Sequence, residues 1–283
     1  MKHTRDSTIL FCSIVRDCGR ALSNNIRTIE KIGGNFKDYS VIVFENNSVD
    51  TTKNVLTTWM ERNKRVTAFM NDFDESKYKN IPLHKEYSGA FSKRRIQKMA
   101  DYRNLYMDHV QGNHLRADCL CVVDLDVAGI DVAGVLSSFE LLDEWDAVAA
   151  NCWSRAVRTF YRKDYHDAYA LVEEEMIDKK QSLKDIAKKR TKWSGLKKGM
   201  PPVKIASAYG GLCLYRFDAV KHLKYRVIEN NFEGVEVLCE HVGLHRQMIE
   251  NGFGRICVNP AMIIEYEHLD LRLIIQRIKE VLR

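Results

Sequence analysis

At 283 residues, with 45% hydrophobic and 29% charged side chains, the chain is long enough to bury a sizeable core and fits one large domain. Its 44 Lys and Arg against 38 Asp and Glu leave a net charge of +6, which favours anionic ligands but falls short of the basic coat a nucleic-acid binder carries, so nucleic acid is excluded as a partner. No apolar run approaches the roughly 20 residues of a membrane helix, the N-terminal one stops at Arg16 and Asp17, and eight cysteines sit in apolar surroundings, so the expected setting is reducing and cytoplasmic.

The first half alternates β-branched runs with helical patterns, as parallel α/β sheets do. Residues 8–15 read as strand one. Leu22, Ile26, Ile29 and Ile32 follow at helical spacing, and Gly33-Gly34 supplies the stop. Residues 39–45 form a second strand, 50–63 a helix, 65–71 a third strand, 72–91 a loop and 92–110 a long helix. The run LCVVDL at 120–125 is apolar until its last acid, as expected of a strand buried on both faces. A helix at 132–142 and a strand at 145–151 come next. The lysine-rich stretch 164–198 reads as a helical insert, and its basic tract 179–198 serves either as a solvated face or as a peripheral membrane contact. Strands at 206–215 and 255–258 resume the core, and 271–283 closes the chain as an amphipathic helix. The expected class is α/β, a single domain over 1–283 with a mostly parallel central sheet flanked by helices. Residues 1–127 form one half and 128–283 the other.

In open parallel sheets ligands lie beyond the carboxyl ends of the strands, so polar residues there carry the most weight. Strand one ends with Ser13, Val15 and Arg16. Strand two ends in FENNSVDTT, where Glu45, Asn46 and Asn47 emerge from an apolar run and can meet a base or ribose, while Ser48 or Asp50 can cap the next helix. At the end of the buried strand, Asp124-Leu125-Asp126 puts two carboxylates at i and i+2, on one side of an extended chain. That pair suits a hard ion, Mn²⁺ or Mg²⁺, which one or two carboxylates and substrate phosphates commonly hold.

The order of strand, ENNSxDxT, helix and apolar strand ending in DxD resembles the nucleotide-sugar-binding half of the GT-A glycosyltransferase fold. Arg95-Ile96, Ala100 and Arg103-Asn104-Leu105 narrow the resemblance to the fungal capsule-associated mannosyltransferase family. The later SAYGGLCLYR (207–216) and CEHVGLHRQMIENG (239–252) are similar to that family's carboxyl half. One departure is Asp-Leu-Asp where the family often has Asn-Asp-Val, which favours metal binding and says nothing of the sugar.

The resemblance implies a metal-dependent transferase moving a hexose or pentose from a UDP- or GDP-sugar to a glycan hydroxyl. Arg95 and Arg103 would lie near the donor phosphates, since a guanidinium grips phosphate oxygens in pairs. Gly210 and Gly211 would let the backbone approach a sugar. Glu240 would deprotonate the acceptor if the reaction inverts, with Glu236 and Glu233 in reserve, and His268 or His241 would complete the metal shell. Trp153 is placed to stack on a sugar face or to lie buried. Two other classes stay open: a nucleotidyltransferase, disfavoured because SIVRDCGRAL after strand one has a single glycine, and a non-catalytic nucleotide- or glycan-binding protein of the same fold.

Overall fold

The computed structural model describes residues 4–141, 145–156 and 159–267. The chain runs β1 (Thr8–Val15), α1 (Gly19–Gly33), β2 (Asp38–Asn46), α2 (Thr52–Arg62), β3 (Val66–Asn71), α3 (Ser76–Lys79) and α4 (Lys93–Gly112). Then come β4 (Cys119–Val123), β5 (Gly129–Ile130), α5 (Val132–Ser137), β6 (Ala147–Ala156), β7 (Thr159–Tyr165) and α6 (Leu183–Trp193). It continues through β8 (Val203–Lys204), β9 (Leu212–Arg216), α7 (Phe217–Val220), β10 (Ile228–Phe232), β11 (Val235–Leu238), α8 (Glu240–Glu250) and β12 (Ile256–Glu265).

The main sheet has the order β3-β2-β1-β4-β9-β6-β12-β5, with β7 on β6 and β8 on β12. Strands β3, β2, β1 and β4 are mutually parallel, and so are β6 and β12. Between them β9 runs antiparallel to both β4 and β6. The chain therefore leaves β1 toward β2 and β3, then returns to β4 on the other side of β1, which opens a crevice at the carboxyl ends of β1 and β4.

Burial explains the apolar runs. Cys119 to Val123 of β4 are almost wholly inaccessible, with β1 and β9 on its two edges. On α1, Leu22, Ile29 and Ile32 are fully buried, each contributing roughly 1.5–3 kcal/mol of transfer free energy. All eight cysteines are buried free thiols, in keeping with their apolar settings. No helix among the described residues is long and apolar enough to cross a membrane.

Several elements differ from expectation. The insert is not one helix: it begins at the end of β7, antiparallel to β6, passes a single 3₁₀ turn at Glu174–Met176 and becomes α-helical only at Leu183, where Ser182 and Asp185 form a reciprocal capping box. The segment 206–215 bends before β9, because Gly210 and Gly211 take positive φ values of 69° and 80°. The β10–β11 hairpin has no counterpart in the sequence reading. The expected closing helix 271–283 lies outside the described residues, as does His268.

Candidate active site

A cavity of about 400 Å³ occupies the crevice beside β1 and β4. Val15, Arg16, Asn46, Arg95, Arg103, Asp124, Asp126, Glu240 and His241 all line it, so most residues expected from strand ends and motifs converge there. Lys98, Met99, Tyr102, His166, Asp167, Tyr169, Tyr209 and Tyr266 complete much of the wall.

Asp124 is fixed at both backbone and side chain. Its N–H donates to the Gly211 carbonyl at 2.8 Å, and its carboxylate accepts the Tyr209 hydroxyl at 2.6 Å and the Tyr266 hydroxyl at 3.1 Å. Asp126 is open to solvent and makes no hydrogen bond to another described side chain, yet the protein around it and then Asp124 push its carboxyl up to about 6. The loop between them is pinned by Asn25 of α1, whose buried amide donates to the carbonyls of Leu125 at 3.0 Å and Val127 at 2.8 Å. Leu125 itself is 1% exposed and serves the core, not a ligand.

Arg103 joins the two halves of the site. Helix α4 carries it into the interior, where it is 4% exposed, with Nε donating to Glu240 at 3.0 Å and Nη2 lying 3.5 Å from Asp124. Its guanidinium stacks 4.8 Å from the Tyr209 ring, and Nη1 is buried without a hydrogen-bond partner. The expectation of a phosphate grip thus changes to an internal ion pair with one donor left over. Glu240 is the first residue of α8, where the helix dipole favours a carboxylate.

His241 stacks on Tyr209 with centroids 3.9 Å apart, and neither ring nitrogen has a hydrogen-bond partner. Burial, then Arg103 and His245, hold it neutral, well below the usual imidazole range. Among the described residues no three His, Cys, Asp or Glu groups cluster at metal-holding distance, so His241 is not brought together with the two aspartates. What does fit an ion is the oxygen pair, since Asp126 faces the cavity with its carboxylate free and Asp124 is held beside it. This hard donor set matches Mg²⁺ or Mn²⁺ with phosphate oxygens filling the remaining positions.

The motif reading missed Asp167, just beyond β7. Its Oδ2 accepts the Gly210 N–H at 3.1 Å and Oδ1 the Ala170 N–H at 3.4 Å, and no cation among the described residues pairs with it. Burial first, then Asp124 and Glu240, push this carboxyl up to about 7. Its neighbour His166 stacks on Tyr266 at 3.7 Å and is held down to about 4 by burial and Arg190. The signal available was TFYRKDY, a strand pattern with three aromatics, followed directly by His166 and Asp167.

Other expected contacts have structural work. Ser13 is buried, its hydroxyl turned to the Ile14 carbonyl at 3.4 Å. Glu45 is fully buried and accepts the Ser48 N–H at 2.6 Å, so it ties the turn after β2. Asn47, at φ 57°, exchanges two hydrogen bonds with the Phe73 backbone. Asp50 accepts from Gly19 and Thr52, both at 2.9 Å, which binds the starts of α1 and α2 together. A Cβ on Gly210 would lie 2.3 Å from the Ala150 carbonyl oxygen and one on Gly211 2.6 Å from the Tyr266 hydroxyl, so neither position has room for a side chain. Glu236 accepts the Lys93 N–H at the start of α4, Glu233 sits in the β10–β11 turn, and Trp153 carries the Lys163 ammonium 3.6 Å above its ring.

Residues 8–242 match the family model described as Cryptococcal mannosyltransferase 1. No curated protein matches. Among solved structures, S. aureus TarS superposes with a TM-score of 0.51 at 9% identity, covering 97% of this chain and 39% of that one. The mannosyltransferase PcManGT from Pyrobaculum calidifontis, in complex with GDP-Man and Mn²⁺, gives 0.47 at 11% identity, covering 98% and 65%. Glucosyl-3-phosphoglycerate synthase from M. tuberculosis gives 0.45 at 14%, covering 98% and 80%. The chain thus spans less than two thirds of the PcManGT and TarS structures, and at these identities the likeness concerns fold alone. The family match over most of the chain, on an α/β sheet of the GT-A kind, makes this chain a member of the Cryptococcal mannosyltransferase 1 family of glycosyltransferases.

Proposed function

We propose that the chain transfers a hexose or pentose from a nucleotide diphosphate sugar, UDP- or GDP-linked, to a glycan hydroxyl, with Asp124 and Asp126 holding Mn²⁺ or Mg²⁺. One observation carries the reading: both carboxylates face a cavity at the β1–β4 switch point, with Asp126 free to take a ligand. The ion, when bound, would offset charge on the leaving diphosphate. Val15, Arg16 and Asn46 form the nucleotide side, and Arg95 and Lys98 add positive charge along the cavity wall.

If the reaction inverts, a carboxylate must take the acceptor proton. Glu240 is the motif's candidate, but its Oε1 is engaged by Arg103. Asp167 is a second candidate, favoured because backbone N–H groups are its hydrogen-bond partners and its carboxyl sits near neutral pH, where a general base works best. Asp167→Asn and Glu240→Gln separate the two: the variant that loses turnover while keeping donor affinity marks the base, and near-normal turnover in both excludes an inverting mechanism.

The central test is binding and hydrolysis of UDP-, GDP- and CMP-sugars with Mn²⁺ or Mg²⁺. Metal-requiring binding that vanishes in Asp126→Ala supports the reading. Metal-independent sugar binding without hydrolysis supports a non-catalytic binding protein. If no donor is bound or hydrolysed, the proposal fails.

A further inference from the structure

A second cavity, of about 250 Å³, lies against α6 and is lined by Gln181, Lys188, Lys189, Lys192, Glu173 and Asp185, among others. Gln181 is 2% exposed, its Oε1 accepts from Lys189 Nζ at 2.7 Å, and its Nε2 is buried with no hydrogen-bond partner. An amide N–H left unpaired in the interior is destabilising until a partner answers it. The two acids are already engaged. Glu173 accepts Lys192 at 2.5 Å and the Trp193 N–H at 3.0 Å, while Asp185 accepts the Ser182 N–H at 3.0 Å and its hydroxyl at 2.7 Å. Lys188 forms no ion pair among the described residues, and with Lys184 and Lys192 it makes a row of like charges at i, i+4 spacing, which weakens a helix unless an anion answers it.

We propose that this cavity binds a phosphate-type oxyanion, with Gln181 Nε2 and the Lys188 ammonium as donors and Lys192 exchanging part of its Glu173 pair for the ligand. The site is separate from the cavity that holds Asp124. Burial holds the Lys189 ammonium down to about 8, and an anion beside it would relieve that strain on its charge. Free phosphate esters and phospholipid headgroups share the required chemistry, and the exposed Leu183 at the start of α6 and Met200 beyond its end fit a lipid surface as well as solvent.

Calorimetry of the full chain with inorganic phosphate, and flotation with phosphatidylcholine vesicles with and without phosphatidic acid, test this. Lys188→Gln and Lys188→Gln/Lys192→Gln lie on the exposed face of α6, outside the lining of the Asp124 cavity, so an unchanged urea-melt midpoint serves as the folding control. Phosphate affinity is expected to fall about tenfold in the single variant and further in the double. Phosphate binding alone points to a soluble ligand. Vesicle binding that needs phosphatidic acid and is lost in the double variant points to a headgroup. If wild type binds neither probe, or if both variants bind as wild type does, the proposal is overturned whatever the donor screen shows.

Discussion

Burial of Asp167 makes a quantitative demand on stability. Its carboxyl is carried from an ordinary 3.8 to about 7, so the fold prefers the protonated acid. For an acid shifted upward the sign is fixed: stability is complete below the unfolded value and is lost as pH rises toward the folded one. The window runs from about pH 4 to about 7, and the full loss is at most about 4 kcal/mol. Roughly 3 kcal/mol of it falls between pH 5 and 8. In Asp167→Asn the amide oxygen still accepts the Gly210 N–H, but nothing ionises. Urea unfolding of both proteins at pH 5, 6, 7 and 8 gives the difference directly. Subtraction cancels His166 and His245, two histidines held neutral whose stabilisation is lost in the opposite direction, as pH falls. The variant should gain on wild type steadily as pH rises. A stability difference that stays flat to within about 0.5 kcal/mol from pH 5 to 8 would refute the reasoning.

Arg103→Met should destabilise by about 3–5 kcal/mol in urea melts, since it strands Glu240 in the interior; a second change, Glu240→Gln, should restore part of that loss, and simple additivity would contradict the ion-pair reading. Asp126→Ala should leave the melting temperature within about 2 °C of wild type at neutral pH or raise it, because the side chain has no hydrogen-bond partner to lose, while abolishing metal-dependent nucleotide binding. Gly210→Ala should cost more than about 2 kcal/mol, from the positive φ and the clash with Ala150, and a neutral outcome in thermal melts would mean the turn can relax.

Some of this architecture could be read from side chains alone. The β1–α1–β2–α2–β3 run announced itself because each strand buries an uninterrupted apolar stretch and each helix one stripe. Asp124 and Asp126 were visible for the same reason, as acids ending the most apolar strand. The second half was harder. Strand β9 runs antiparallel to β4 and β6 while β6 and β12 are parallel, and pairing direction leaves no mark on side-chain periodicity. Lysines in 179–198 suggested a helix through the whole insert, although only a capping box fixes where α6 begins. Glu45 and Asn47 misled because a polar cluster at a strand end serves a ligand or its own turn with equal ease. Nothing near Asp167 in sequence predicts that Gly210, 43 residues later, supplies its N–H.

The pair of hydrogen bonds from Asn25 has a mechanical consequence. They clamp the backbone on either side of Asp126, so the carboxylate's position is set by where α1 lies on the sheet. Ordering of that loop is completed during folding, and a ligand arriving at Asp126 meets a side chain with little backbone entropy left to surrender. Helix α1, which contributes no residue to the cavity wall, therefore acts as its alignment jig: loosening Asn25 by Asn25→Ala would change no lining residue and still blur the position of the Asp126 carboxylate.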